Sequence, residues 1–437
     1  MSESKHKRLV LVKPPEHYYW NFGAFSLGVL AAGVRHLADV SILDTTNMNM
    51  EEAVDAVWSQ EPDIVGITLM GVPSVNNGTA FIKALKEKRP SASPIIVGGH
   101  GASMLPEPLL KAGADCAVFG EGELTLQHIL EKGISPGMPG TTVLVNDRVV
   151  RGVPRDLISP LELLNEPARD LMSPPTDGIH LMEASRGCPH NCEFCETTRF
   201  YGTRWRPHTP ERVVQEVKRL MDDYDAYLIH FADDNFTAST KRVKQICQQL
   251  IEEDTVPAYF IYFARADDLI KDPELLPLMA EARMLRVTVG IDTLDPKVGE
   301  NVSKTIPVEV YHEAFERMRE VGIFAIGSLI VGLPGESPEA REKALERLVE
   351  AGPDFAQFLP YLPLPGLPRD PRHTGYDAHP DDAKEAVKLS RAYALHPTVA
   401  ARLERLVEKG GIQGQLALGA LKWVRAEQQA AGGTGVG

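Results

Sequence analysis

Short apolar runs closing on Gly, Asp or Thr alternate with helical patterns in this chain, in two series separated by a proline-rich stretch. The first series is "RLVLVKPP", "DVSILDTT", "DIVGITLMG", "SPIIVGGHG" and "DCAVFGEGE". Near-continuous apolar strands spaced by helices describe a parallel sheet covered on both faces. The helix "MEEAVDAVWSQ" supplies one cover, with Ala53, Val54, Val57 and Trp58 on a single side. Residues 1–145 therefore read as a doubly wound, Rossmann-like α/β domain, whose ligand belongs beyond the carboxyl ends of the strands.

Residues 146–176 read as a linker: the end of a hairpin, "TTVLVNDRVVRG", then a connector with five prolines, "VPRDLISPLELLNEPARDLMSPP". The second series runs through "IHLMEAS", "AYLIHFADD", "AYFIYFARAD", "LRVTVGIDT", "FAIGSLIVGLP" and "FAQFLPYLPLP". Between the first two strands, Thr209 and Pro210 open a helix, and Val213, Val214, Val217, Leu220 and Met221 form its apolar face. Six strand–helix units predict a partial (β/α)6 barrel over 177–365, with its chemistry at the carboxyl ends of the strands. Residues 366–437 read as a short helical C-terminal region, a cap or a lid, with a disordered tail "AAGGTGVG".

The net charge of −14 argues against a nucleic-acid-binding surface. No apolar run reaches the roughly 18 residues a membrane span needs, and no signal peptide is read at the start. Five cysteines, three of them clustered, fit a reducing cytoplasm and a metal site rather than a disulfide framework. Cys247 shares a helix face with Val243, Ile246 and Leu250, and Cys116 opens an apolar strand, so both read as core.

The clustered three are Cys188, Cys192 and Cys195, in "GCPHNCEFCE" directly after the first barrel strand. Thiolates select zinc, copper(I) or iron–sulfur. Structural zinc asks for four protein ligands, and His190 would have to be the fourth. A four-iron cluster held by three thiolates keeps one iron open, and an open position is where chemistry occurs.

This spacing, with Phe194 in the aromatic place and Arg186 and Gly187 ahead of it, resembles the Cys-x-x-x-Cys-x-aromatic-Cys signature of the radical S-adenosylmethionine (SAM) superfamily. The resemblance implies a [4Fe–4S] cluster on the three cysteines, with SAM chelated at the open iron and cleaved by one electron to a 5′-deoxyadenosyl radical. It also implies an electron donor such as flavodoxin or ferredoxin. Asp233, Asp234 and Asn235 close the second strand, where SAM's amino group needs acceptors; an Asx-turn is the other reading. Arg265 ends the third strand and suits the SAM carboxylate. Asp292 ends the fourth and suits the ribose, although similar enzymes more often carry Glu there. An Arg265–Asp292 ion pair would explain both residues without a ligand. Gly332 lies where the family's fifth strand runs along the adenine.

A doubly wound domain ahead of such a barrel resembles the cobalamin (B12)-binding branch of the superfamily, in which both methyltransferases and anaerobic porphyrin cyclases occur. On that resemblance Thr68, Gly98, Gly99, His100, Gly120, Glu121 and Gly122 surround the corrin and its nucleotide tail. Glycines let backbone approach a planar ligand. The mutase-type Asp-x-His-x-x-Gly pattern is incomplete: Asp44 is present in "DTTNMNM", the histidine is not. His17, Tyr18, Tyr19, Trp20 and Phe22 follow the first strand and would pack on the corrin, line the substrate cavity or fill a domain interface. Where relatives read "PLPGT" this chain reads "PLPGL".

The expected function is methylation of an unactivated carbon in a small-molecule substrate, apolar or planar to judge from "FLPYLPLPGLP". The alternatives are radical cyclisation, rearrangement or oxidation without methyl transfer, and a non-catalytic iron–sulfur or zinc protein.

Overall fold

The computed structural model describes residues 7–16, 24–90, 93–175, 177–367, 372–373 and 375–432, with side chains as far as 427. Residues 17–23, which include the five aromatic and histidine candidates after the first strand, lie outside the described residues. So does the tail from 433. The chain divides into two compact units, one reaching to residue 176 and taking in 199–201, the other comprising 177–198 and 202 onward.

In the first unit, β1 (Lys7–Lys13), β2 (Ala38–Asp44), β3 (Ile64–Thr68), β4 (Ile95–Gly98) and β5 (Cys116–Val118) are parallel. Helices α1 (Phe25–Val34), α2 (Met50–Ser59), α3 (Ser74–Lys88), α4 (His100–Met104), α5 (Pro106–Lys111) and α6 (Glu123–Lys132) cross between the strands or follow them. One face of the sheet buries Val10, Val12, Val65 and Ile67 with Val57 and Phe81, and the other buries Leu9, Leu11 and Ile96 with Leu27 and Ile129. That double burial is why these strands carry no polar alternation.

The hairpin read in "TTVLVNDRVVRG" is present and joins the sheet. Strands β6 (Thr141–Val145) and β7 (Arg148–Arg151) add antiparallel to β5, giving the order β2-β1-β3-β4-β5-β6-β7. Asn146 and Asp147 both take positive φ, 49° and 60°, and make the tight turn between them. The first residues assigned to the linker are therefore sheet.

In the second unit six parallel strands follow in the order β15-β14-β13-β12-β11-β8. They are β8 (Ile179–Met182), β11 (Leu228–Phe231), β12 (Tyr259–Ala264), β13 (Arg286–Asp292), β14 (Phe324–Val331) and β15 (Phe355–Pro360). A two-residue pair, β9 (Ser185–Arg186) and β10 (Arg206–Pro207), flanks α7 (Glu196–Tyr201). The covering helices are α8 (Pro210–Tyr224), α9 (Thr240–Glu252), α10 (Ala266–Leu269), α11 (Leu275–Glu281), α12 (Pro296–Asn301), α13 (Val308–Val321) and α14 (Pro338–Ala351).

Thr209 caps α8 as expected, its hydroxyl accepting the Arg212 N–H at 3.3 Å. Ile229, Phe231, Phe260, Tyr262, Val287, Val289 and Ile291 meet the helices in one continuous core. The residues between them, among them His230, Phe263 and Thr288, point to the other face of the sheet. Cys247 is fully buried in the helix-side core and burial pushes its thiol up to about 12; Cys116 is likewise buried in β5.

The last helices are α15 (Pro380–Leu395), α16 (Pro397–Lys409) and α17 (Gly411–Gly432). Expected as a region of their own, they share the barrel's core through Leu389, Tyr393, Leu403, Leu406 and Leu421. Tyr393 donates its hydroxyl to the Pro353 carbonyl at 2.7 Å, and Ser390 accepts the Phe358 N–H at 3.0 Å. Among the described residues no helix is long and apolar enough to cross a membrane.

Candidate functional site

β8 pairs with β11 so that Met182 lies beside Phe231. The chain leaving β11 therefore runs alongside the chain leaving β8, and its two carboxylates reach the cysteine loop. Asp233, fully buried, accepts the Ala184 N–H at 2.8 Å and the Ser185 hydroxyl at 2.5 Å. Burial raises its pKa to about 6 against the pull of Arg242. Asp234 accepts the Gly187 N–H at 3.1 Å and the Thr197 hydroxyl at 2.5 Å, one contact on each side of the cysteines. Arg242 adds a third fastening, donating to the carbonyls of Ala184 at 2.6 Å and His208 at 2.9 Å.

The loop enters at Gly187, whose φ of 81° suits a residue without Cβ. Cys188, Cys192 and Cys195 follow as free thiols. The backbone N–H of His190 favours the thiolate of Cys188, those of Thr197 and Thr198 favour that of Cys195, and the Arg265 guanidinium favours that of Cys192. Burial raises all three pKa values, that of Cys188 to about 11. The charge of Asp234 acts on both Cys188 and Cys195, and those of Lys304, Asp292 and Arg265 act on Cys192. Three thiols ringed by N–H donors fit a thiolate-held cluster, since such donors stabilise sulfur once its proton is lost.

Zinc would need His190 as its fourth ligand, and burial holds the pKa of that imidazole below the ordinary value. Among the described residues no three His, Cys, Asp or Glu side chains converge on a point that one ion could fill.

Arg265 and Asp292 do not pair with each other. Arg265 forks onto Asp267 at 3.1 and 3.2 Å. Asp292 has a φ of 62° at an irregularity in β13 and is ion-paired with Lys304, whose ammonium also reaches the Gly290 carbonyl at 2.8 Å. Lys304 was missed by the sequence reading. A lysine after a short helix is normally a solvated one, and only the packing shows that its side chain is 5% exposed. Phe194 packs with Val298, Val302, Ile330, Leu333 and Tyr361 at the carboxyl mouth. Gly332 follows β14 with a φ of 92°. Asn235 does make an Asx-type contact, accepting the Thr237 N–H at 3.2 Å, and donates to Asp268 at 3.0 Å.

In the first unit the cobalamin candidates lie at the carboxyl ends of β3, β4 and β5. Thr68 ends β3, and Gly98 and Gly99 run into His100, the first residue of α4. Gly99 has a φ of 93°, and a methyl there would overlap the Leu69 carbonyl. Gly120 has a φ of 72°, and among the described residues nothing lies within 4 Å of where a Cβ would stand; its N–H goes to Ser103 at 3.1 Å. Glu121 accepts the Ile158 N–H at 2.6 Å, and Gly122 precedes α6. The bare backbone at Gly120 suits the approach of a broad planar ligand. At the histidine place of the mutase pattern, Thr46 turns its hydroxyl onto Asp44 at 2.5 Å, and Asn49 and Glu52 close a capping box on α2.

Residues 182–348 match the radical SAM superfamily, and residues 11–130 match the B12 binding domain. The chain belongs to the cobalamin-binding branch of the radical SAM superfamily. As a radical SAM enzyme it takes a [4Fe–4S] cluster and SAM at the barrel, and its first unit takes cobalamin. It is 29% identical to an uncharacterized methyltransferase of Pyrococcus horikoshii, across 84% of this chain and 80% of that one. It is 26% identical to an anaerobic magnesium-protoporphyrin IX monomethyl ester cyclase of Rubrivivax gelatinosus, across 78% of this chain but 64% of the cyclase. Among solved structures, the radical SAM methyltransferase TsrM from Kitasatospora setae, with cobalamin and a [4Fe–4S] cluster bound, shares the fold. Its TM-score is 0.67 at 20% identity, covering 82% of this chain and 73% of TsrM.

Proposed function

We propose that this radical SAM enzyme methylates an unactivated carbon of a small molecule, with Cys188, Cys192 and Cys195 holding the cluster. The observation that carries this is one loop with three N–H-bonded thiols, at the carboxyl edge of a six-stranded parallel sheet. When bound, the cluster and SAM supply one-electron cleavage of a carbon–sulfur bond, and cobalamin supplies a methyl carrier.

The chain's own residues position these groups. Asp234, with two of its four lone-pair sites used on the loop, keeps capacity to accept from the SAM amino group. Arg265 is oriented by Asp267 toward Cys192 and offers its remaining N–H groups to a carboxylate. Asp292, ion-paired with Lys304, is the acceptor assigned to the ribose hydroxyls, and the side-chain-free backbone of Gly332 is assigned to the adenine. Phe194 and Ile330, half-buried against Leu333 and Tyr361, give the mouth an apolar side, which suits an apolar or planar substrate and excludes water from a reactive intermediate. Thr68, Gly98, Gly99, His100, Gly120, Glu121 and Gly122 frame the corrin and its tail. The electron comes from a flavodoxin- or ferredoxin-like donor in the cytoplasm.

Anaerobic turnover with reductant, SAM and candidate substrates tests the reading. Methyl transfer should yield S-adenosylhomocysteine and 5′-deoxyadenosine together, with a product heavier by one CH₂. Similarity to the cyclase favours a second reading, radical ring formation, in which 5′-deoxyadenosine appears without S-adenosylhomocysteine from cobalamin-replete protein.

A further inference from the structure

The C-terminal helices do more than close the core: one buried carboxylate among them stands against the glycine assigned to the adenine. We infer that Asp382, on the first turn of α15, is a positioning residue for SAM, acting through the backbone at Gly332. The inference rests on the SAM reading above.

Gly332 follows β14 in the left-handed region at a φ of 92°, where a side chain is disfavoured. The direction its Cβ would take is filled by the Asp382 carboxylate. Asp382 is fully buried and carries two arginines: Arg341 at 3.1 Å, and Arg372 as a two-pronged contact at 3.3 Å on each oxygen. Arg341 also donates to Glu336 at 2.8 Å, and Glu336 in turn accepts the Gly332 N–H at 2.6 Å. The loop after β14 is thus held at two points, on its N–H by Glu336 and on its open side by Asp382. Arg341 ties the two carboxylates together.

Such a network fixes one backbone geometry because each member is satisfied only in that geometry. Two carboxylates and two guanidiniums balance in charge, with Arg372 at the solvent edge of the set. Glu336 and Arg341 belong to the barrel, but Asp382 and Arg372 come from the region after β15. That region is therefore a wedge behind the cofactor's backbone contact. Freed of it, the glycine loop samples other conformations and the adenine loses its preformed edge.

The test is anaerobic equilibrium binding of SAM to cluster-loaded protein, with iron and sulfide content and thermal unfolding measured alongside. Wild-type protein must bind SAM, and if it does not, the SAM reading fails rather than this one. Asp382→Asn should weaken SAM affinity by about tenfold while cluster content stays at the wild-type level, as expected for lost pre-organisation. The change that SAM binding makes in the reduced cluster's electron paramagnetic resonance signal should broaden. Asp382→Glu should not restore affinity, because the longer side chain overfills the space beside Gly332. Unchanged affinity in Asp382→Asn overturns the inference. Should that variant fail to fold, Arg372→Gln is decisive, since this side chain is 39% exposed. A loss of about threefold or more supports the inference, and wild-type affinity overturns it.

Discussion

The Asp234 carboxylate and the Gly187 amide lie 3.1 Å apart, joining the exit of one strand to the mouth of the loop that leaves its neighbour. Because the same carboxylate holds Thr197 beyond the last cysteine, it closes the cysteine loop like a drawstring. Replacing Asp234 with alanine removes two charge-assisted hydrogen bonds, a local cost on the order of 2–5 kcal/mol. The variant should keep its far-ultraviolet circular dichroism but hold much less iron and labile sulfide after reconstitution. Wild-type iron content would show that the loop needs no such anchor.

Lys304 and Asp292 are both largely buried, with side chains 5% and 13% exposed. Lys304→Met leaves the aspartate without its partner and should cost about 3–5 kcal/mol in urea unfolding. Adding Asp292→Asn should recover part of that loss. Simple additivity of the two substitutions would rule out direct coupling.

His230 is buried, and burial with the nearby Arg286 lowers its pKa to about 4. The unfolded chain therefore takes up a proton near pH 6.5 that the folded chain refuses. Stability contributed by neutral His230 is complete above about 6.5 and is lost as pH falls toward about 4. Thermal unfolding of His230→Gln should show a shallower decline over that window than wild type, and identical slopes would contradict the assignment.

Among the described residues nothing crowds the Cβ direction of Gly120 at the proposed corrin edge, whereas the Thr46 hydroxyl is turned onto Asp44. Gly120→Trp should abolish retention of cobalamin on a desalting column, at a backbone cost of about 1–2 kcal/mol. Thr46→Ala should retain cobalamin, since nothing at that position offers an imidazole. The reverse pattern would move the corrin elsewhere.

The parts of this fold that were legible are those encoded within a few residues. Thr209 and Pro210 announce a helix start because caps act over one turn, and the cysteine trio announces a cluster because its ligands share one loop. The hidden parts depend on long-range placement. Helical periodicity marked α15, but nothing local showed Asp382 arriving beside Gly332, fifty positions earlier in the sequence. Lys304 became visible as a partner of Asp292 only once the chain after α12 folded back onto β13. Arg265 and Asp292, both charged and both at strand ends, invited a pairing that closer partners pre-empted.

Leu389, Tyr393, Leu403 and Leu421 sit in the same oily interior as the six strands. The final helices are thus staves of the cask rather than its cover. A protein cut after residue 365 would expose a bare apolar flank, and its expected fate is aggregation rather than freer access for substrate.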